Sequence, residues 1–173
     1  MNSRTLPAQI IYFLVYVLVQ VAIFENIVLF NKAFCFLYIA FLLVLPLELG
    51  RITLMLIGFV TGISVDIFYD SLGIHTAASV LIMYLRPHWL NLITPRGGYE
   101  NLSIPTLKSV GLDWFSTYAF PLVLIHSFAL FYIEAGGFHM FFYTFLKVLF
   151  SSVLTFTIII ITQYLFYSGR RVI

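Results

Sequence analysis

Long, continuous apolar runs separated by short polar stretches make up most of the chain. The runs lack the strict alternation of apolar and polar positions that strands of a membrane barrel require, so they predict helices. A helix of about 20 residues crosses the hydrocarbon core of a bilayer. The six predicted spans are Leu6–Phe24, Ala33–Leu47, Ile52–Tyr69, Ile74–Leu85, Trp114–Tyr132 and Phe141–Phe166. The fourth span is expected to close at Arg86-Pro87, reaching Trp89 at most.

Composition places these helices in a membrane. Of 173 residues, 62% are hydrophobic and only 9% are charged, whereas soluble domains average about 45–50% apolar and about 25% charged. We therefore expect an all-α, polytopic membrane protein with a single transmembrane domain over residues 1–173. The net charge of +2, with no basic patch, argues against a nucleic-acid partner. The first apolar run ends without a small-residue cleavage site, so we expect it to be a retained helix rather than a signal peptide.

The basic residues predict the orientation of the spans. Six spans put both termini, the second loop and the fourth loop on one side of the membrane. That side would hold Arg4, Arg51, Arg86, Arg96, Lys108, Arg170 and Arg171, and the other side would hold Lys32. By the positive-inside rule the termini are cytoplasmic. The only long loop, about 88–113, would then also be cytoplasmic.

The segment from Gly58 to His75 holds the candidate functional residues. Gly58, Gly62, Asp66 and Asp70 are spaced by four, which places them on one face of a helix. Two glycines at this spacing let another helix approach closely. Asp66 lies roughly 22 Å along the helix from Arg51, at about 1.5 Å per residue. This predicts Asp66 in the outer half of the membrane and Asp70 at the outer interface.

Three interpretations of Asp66 remain open from the sequence: helix packing or assembly, ion or substrate handling, and exposure at the interface. Asp70 is expected to be a turn residue or helix cap. His75 is expected to be a polar interface residue able to face Asp70 across the turn. Packing of the Gly58–Asp66 stripe inside the chain and packing against a partner are equally compatible with the pattern.

The sequence motifs of the enzyme classes considered are incomplete or missing. Gly62-x3-Asp66-x3-Asp70 resembles the second half of the CDP-alcohol phosphotransferase signature, but Glu48 and Leu49 stand where the first half needs Asp and Gly. No zinc-protease helix motif, nucleophile elbow or phosphate-binding loop occurs. The single cysteine, Cys35, rules out a disulfide within the chain. We expect no catalytic, cofactor-binding or metal-binding residues.

The combination Gly58-x3-Gly62-x3-Asp66, followed by Leu72-Gly73-x-His75-x-Ala77, resembles the rod shape-determining MreD family. The resemblance implies a non-enzymatic scaffold in the bacterial inner membrane, with a fold like the S-components of energy-coupling factor transporters. It implies binding to the bitopic protein MreC, and a link between MreB filaments and the RodA glycosyltransferase with its transpeptidase partner. Gly58, Gly62, Asp66, Asp70, Gly73 and His75 are the candidate packing or partner-binding residues.

The transporter subunits themselves give a second hypothesis, in which this chain binds a vitamin or another small molecule. Those subunits usually carry an Ala-x3-Ala pattern early in the first helix, whereas here Ala8 is followed four residues on by Tyr12. A ligand cavity would need convergent polar groups. Asp66, His75, Glu134 and His139 are the candidates for them.

Overall fold

The computed structural model describes residues 5–24, 28–29, 32–94, 103–138 and 140–166. The helices are α1 (Thr5–Val19, continued by a π-helical turn, Gln20–Phe24), α2 (Ile39–Leu43), α3 (Arg51–Tyr69), α4 (Ile74–Ile93), α5 (Leu107–Val110), α6 (Leu112–Glu134) and α7 (Phe141–Phe166). Two short strands, β1 (Val28–Leu29) and β2 (Ala33–Phe34), pair antiparallel. The described part of the chain is therefore an all-α protein, as the apolar runs predict.

Four helices in the described ranges are long and apolar enough to cross a membrane. They are Pro7–Phe24, Arg51–Tyr69, Leu112–Glu134 and Phe141–Phe166. They correspond to the first, third, fifth and sixth predicted spans, with ends that differ by two residues at most. Large apolar side chains such as Ile52, Leu56 and Ile67 on α3 remain exposed, as lipid-facing residues do.

The second predicted span, Ala33–Leu47, is wrong as a continuous helix. Only the five residues of α2 are helical there, and β2 and irregular backbone occupy most of the rest. The side chains from Cys35 to Leu45 are nonetheless buried. An apolar run of about 15 residues looks the same whether it forms a helix or a buried irregular segment, so the sequence pattern could not separate the two.

This buried segment runs alongside α4. The rings of Phe36 and Tyr38 lie 5.9 Å and 6.0 Å from the ring of His75, in the first turn of α4. The carbonyl groups of Leu43 and Leu45 accept hydrogen bonds from Arg86, eleven residues further along α4. Eleven residues of helix span about 16 Å. The segment and α4 therefore run in the same direction over that distance.

Polar side chains from the surrounding helices satisfy the backbone of this segment. Gln20 Nε2 donates to the Cys35 carbonyl (3.0 Å), and Gln20 Oε1 accepts from the Tyr38 amide (3.4 Å). Thr155 Oγ1 accepts from the Phe36 amide at 3.0 Å. Irregular backbone at membrane depth is tolerated only where protein groups satisfy it in this way.

The fourth predicted span is too short, and Arg86 is not a loop residue. The helix α4 continues through Arg86 and Pro87 to Ile93. Arg86 is fully buried, and its guanidinium donates to Tyr118 Oη (2.6 Å) and to the carbonyls of Leu45 (2.5 Å) and Leu43 (3.4 Å). These acceptors take the place of the water molecules that would solvate the guanidinium at the protein surface. Arg86 therefore does not belong among the loop charges from which the orientation was predicted. Arg4, Arg96, Arg170 and Arg171 lie outside the described residues.

Part of the predicted loop 88–113 is helical. It includes the last turns of α4, all of α5 and the start of α6, and residues 95–102 lie outside the described ranges. Leu107 in α5 is buried, and its amide donates to Gln163 Oε1 of α7 at 3.4 Å. A helix-capping Thr106 starts α5, with its hydroxyl accepting from the Ser109 amide. Local capping and packing thus order a stretch whose polar composition had indicated a loop.

Candidate functional site

The glycine stripe packs α3 against α4 inside the chain. A Cβ atom added at Gly58 would lie 2.8 Å from Met83 Cγ and 3.0 Å from the Ser79 carbonyl oxygen. One added at Gly62 would lie 2.8 Å from the Thr76 amide nitrogen and 2.9 Å from the His75 carbonyl oxygen. Real Cβ atoms essentially never come within 3.0 Å of backbone atoms, so at Gly62 only glycine permits this spacing of the two helices, whereas at Gly58 the closest contact is a side chain. The sequence left open whether this stripe packs inside the chain or against a partner. In the structure it packs against α4 of the same chain.

A tight turn containing three residues with positive φ joins the two helices. Asp70 has φ 50° and ends α3, with its amide donating to the Asp66 carbonyl. Leu72 and Gly73 follow with φ values of 47° and 91°. Asp70 is exposed, while Gly73 stands at the N-cap position of α4 and has no side chain to cap it. The first amide groups of α4 therefore need an acceptor from elsewhere.

Asp66 supplies that acceptor. Its Oδ1 accepts from the His75 amide (3.0 Å) and from Ser71 Oγ (2.6 Å), and its Oδ2 accepts from the Thr76 amide (2.8 Å) and Thr76 Oγ1 (2.5 Å). A carboxylate at this position also interacts favourably with the positive end of the helix dipole. Asp66 is thus the cap of α4, provided by the preceding helix across the glycine contact.

His75 joins this network through its Nδ1. That atom lies 2.9 Å from Ser71 Oγ and 3.1 Å from Asp66 Oδ1. Since Ser71 Oγ donates to Asp66, it can accept from a protonated Nδ1. The carboxylate partner of His75 is therefore Asp66 and not Asp70, because the turn carries Asp70 out to the surface while Asp66 faces the first turn of α4.

Aromatic side chains extend the network into the core. The ring of Tyr69 lies 5.0 Å from the ring of His75, and Gln20 Nε2 donates to Tyr69 Oη at 2.7 Å. Tyr38 Oη lies 2.6 Å from Nε2 of His126, which is fully buried on α6. Sequence reasoning did not assign a role to Tyr38 or His126. The only available signal was a histidine and a tyrosine within otherwise apolar runs.

The other polar candidates lie in different arrangements. Glu134 pairs with Lys147 at 3.3 Å, and the Lys147 ammonium lies 4.5 Å from the centroid of the Phe131 ring. Lys147 therefore has a carboxylate and an aromatic face as partners. His139 lies outside the described residues. Within the ranges that the structure describes, no group of three His, Cys, Asp or Glu side chains is placed to hold a metal ion.

The arrangement around Asp66 is suited to holding two helices in a fixed relation. The two carboxylate oxygens of Asp66 accept hydrogen bonds from groups of α4 and of the turn. The negative charge is therefore satisfied within the hairpin formed by α3 and α4. An apolar groove between α1 and α3, whose lining includes Phe13 and Ile57, contains neither Asp66 nor His75. Comparison of the chain with family models, curated proteins and solved structures found no match.

Proposed function

We propose that this protein is a non-enzymatic membrane scaffold of the bacterial cell-elongation machinery, and that the α3–α4 hairpin is its docking element. In this proposal the hairpin tip contacts the extracytoplasmic part of an MreC-like bitopic protein. Through that protein the scaffold joins RodA and its transpeptidase, and MreB filaments on the cytoplasmic side. The candidate residues then divide into those that make the hairpin rigid and those that its tip presents.

The observation that carries the proposal is the state of Leu72 at the hairpin tip. Leu72 is 99% exposed and has φ 47°. A left-handed conformation costs an L-residue roughly 1–2 kcal/mol, and so exposed a side chain gains almost nothing by burial within the chain. A leucine held in this way is explained by a contact outside the chain, since exposed apolar groups at a fixed position favour recognition.

The rest of the hairpin supports this role. Gly58 and Gly62 bring the two helices together, and Asp66 ties the start of α4 to the end of α3. A docking surface that is rigid before binding loses less conformational freedom when the partner arrives. The four hydrogen bonds to Asp66 therefore favour a preorganised contact surface over a reactive carboxylate.

The proposed topology has six passes with cytoplasmic termini, in the bacterial inner membrane. Besides the four long apolar helices, α4 forms one pass, and the interrupted segment 33–49 forms another. The segment's parallel course with α4 supports this, because both then cross from the outer side to the inner side. Arg51, at the start of α3, lies on the side that the positive-inside rule makes cytoplasmic.

A transporter subunit that binds a small molecule is the second candidate. It is favoured by the approach of His75, Tyr38, Tyr69 and His126 to one another in the core. The scaffold is preferred because the polar groups of this cluster bond to one another: Asp66 accepts from Ser71 and Thr76. Gln20 bonds to Tyr69 and to the Cys35 carbonyl, and Tyr38 Oη bonds to His126.

The test is cross-linking and recovery of the tagged protein from native membranes, comparing the wild type with Leu72→Asn. Asparagine tolerates the left-handed conformation better than leucine, so the variant keeps the turn and removes only the apolar contact. Leu92→Asn is the matched control, because Leu92 is 77% exposed near the other end of the hairpin.

We expect the wild type and Leu92→Asn to recover a bitopic protein together with elongation synthases, and Leu72→Asn to lose most of it. Recovery of a transporter ATPase with its coupling subunit, or equal recovery by all three proteins, would overturn the proposal.

A further inference from the structure

The tip of the α3–α4 hairpin carries a charged side chain close to its apolar one. Asp70 is exposed, as is Leu72 two residues later, and both have positive φ values, of 50° and 47°. Two residues of extended chain span at most about 7 Å. A partner that covers Leu72 therefore also lies close to Asp70.

The carboxylate of Asp70 is not used within the part of the chain that the structure describes. The ion pairs there are His75 with Asp66 and Lys147 with Glu134, and Asp70 belongs to neither pair. The backbone amide of Asp70, by contrast, donates to the Asp66 carbonyl at the end of α3. The backbone of Asp70 thus helps to hold the turn, while its negative charge remains at the surface.

A lipid bilayer does not suit both side chains at once. Leu72 enters the hydrocarbon only if Asp70 is drawn toward it, and an ionised carboxylate is costly there. Water solvates Asp70 well, but contact with water is unfavourable for so exposed an apolar side chain. An apolar pocket with a cationic side chain at its edge accommodates both groups, and a folded protein supplies such a surface.

We infer that the tip docks on a protein surface in which an apolar pocket receives Leu72 and a lysine or arginine at the rim of that pocket faces Asp70. This inference rests on the proposed docking role of the hairpin and adds the chemistry of the partner. The turn fixes the separation of the two groups, so the partner recognises them together. A rim charge of this kind speeds association and disfavours partners that present an acidic rim.

Photochemical cross-linking of the full chain in native membranes tests whether the tip touches protein. A diazirine analogue of leucine is introduced at position 72, where it keeps the apolar shape and inserts into the molecule that touches it. The same analogue at position 92 is the matched control, because Leu92 is 77% exposed near the other end of the hairpin. We expect an adduct with protein from position 72 and an adduct with phospholipid from position 92. An adduct with phospholipid alone from position 72 would overturn the inference.

The cationic rim is tested by removing the charge of Asp70. Asp70→Asn keeps a residue that adopts the left-handed conformation readily. Asp113→Asn is the matched control, since Asp113 is an exposed acid in the first turn of α6, at the opposite end of the spans in the proposed topology. At low ionic strength we expect Asp70→Asn to lower the yield of the position-72 protein adduct about two- to fivefold, and Asp113→Asn to leave it unchanged.

Salt provides an independent measurement of the same contact. In about 1 M salt, charges are screened beyond about 3 Å, so we expect the difference between the wild type and Asp70→Asn to disappear. An equal adduct yield from the two proteins at low ionic strength would overturn the inference. That result, with loss of the bitopic protein in Leu72→Asn, would leave the scaffold function standing, whereas equal recovery by Leu72→Asn would remove the docking role itself.

Discussion

Replacement of Gly62 by alanine is the most direct test of how the hairpin is built. The added Cβ would lie 2.8 Å from the Thr76 amide nitrogen and 2.9 Å from the His75 carbonyl oxygen. Both atoms belong to the backbone of α4, so no side-chain rotation can make room. The two helices must move apart, and the bonds from Asp66 to the Thr76 amide and hydroxyl must lengthen with them.

The expected magnitude follows from three opposing contributions. Alanine is better than glycine in a helix by about 1 kcal/mol. Overpacking typically costs about 1–3 kcal/mol, and loss of one hydrogen bond to a charged group costs about 1.5–3 kcal/mol. We therefore expect Gly62→Ala to lower the free energy of unfolding by about 1.5–5 kcal/mol.

The assay is reversible unfolding in mixed micelles, with two other glycine variants for comparison. Gly50→Ala is the control, since a Cβ there meets nothing within 4 Å. Gly50 is the N-cap of α3, where alanine is less favourable than glycine, so we expect a loss of at most about 1 kcal/mol. Gly58→Ala is expected to cost about 1 kcal/mol, because its closest contact, Met83 Cγ at 2.8 Å, belongs to a flexible side chain. If Gly62→Ala is as stable as Gly50→Ala, the close contact of α3 with α4 is not what fixes the hairpin.

Two further substitutions address the buried polar groups. Asp66→Asn keeps one acceptor oxygen but places an amide NH₂ group opposite donors of α4, so we expect a loss of about 2–4 kcal/mol in the free energy of unfolding. Amide hydrogen exchange in the first turn of α4 is the second measurement. Exchange protection equal to that of the wild type would contradict the capping role of Asp66. Arg86→Met retains much of the apolar stem but leaves the Leu45 carbonyl and Tyr118 Oη without the guanidinium donor, while the Leu43 carbonyl keeps the Tyr118 hydroxyl as its donor. We expect a loss of about 1–3 kcal/mol for each acceptor left unpaired and increased exchange in residues 39–47, whereas unchanged exchange there would show that Arg86 does not hold the segment.

Much of the membrane architecture could be predicted from the sequence. The long apolar helices were found because about 20 apolar residues with almost no charge have few stable alternatives in a bilayer. The limits of the sixth span, Phe141–Phe166, agree with α7 residue for residue. The four-residue spacing of Gly58, Gly62 and Asp66 also placed these residues correctly on one face of a helix.

The interrupted segment could not be predicted in the same way. Ala33–Leu47 is apolar enough for a helix, and its irregular backbone is stable only because Gln20, Thr155 and Arg86 come from three other elements to satisfy it. Each of these residues taken alone resembles an ordinary polar exception in an apolar run. Arg86 was assigned to a loop for the same reason, since nothing local shows that carbonyl groups more than forty positions earlier in the chain will surround it.

The sequence by itself determined that this chain is a helical membrane protein and that the face of α3 bearing Gly58, Gly62 and Asp66 is made for close approach. Those properties are local, because hydrophobicity, charge and helical spacing act over a few turns. Only the tertiary structure decided that the face meets α4, that Asp66 caps α4 in place of Gly73, and that Leu72 stays exposed. These outcomes depend on which groups become neighbours after folding, because a buried polar group is stable only beside a partner.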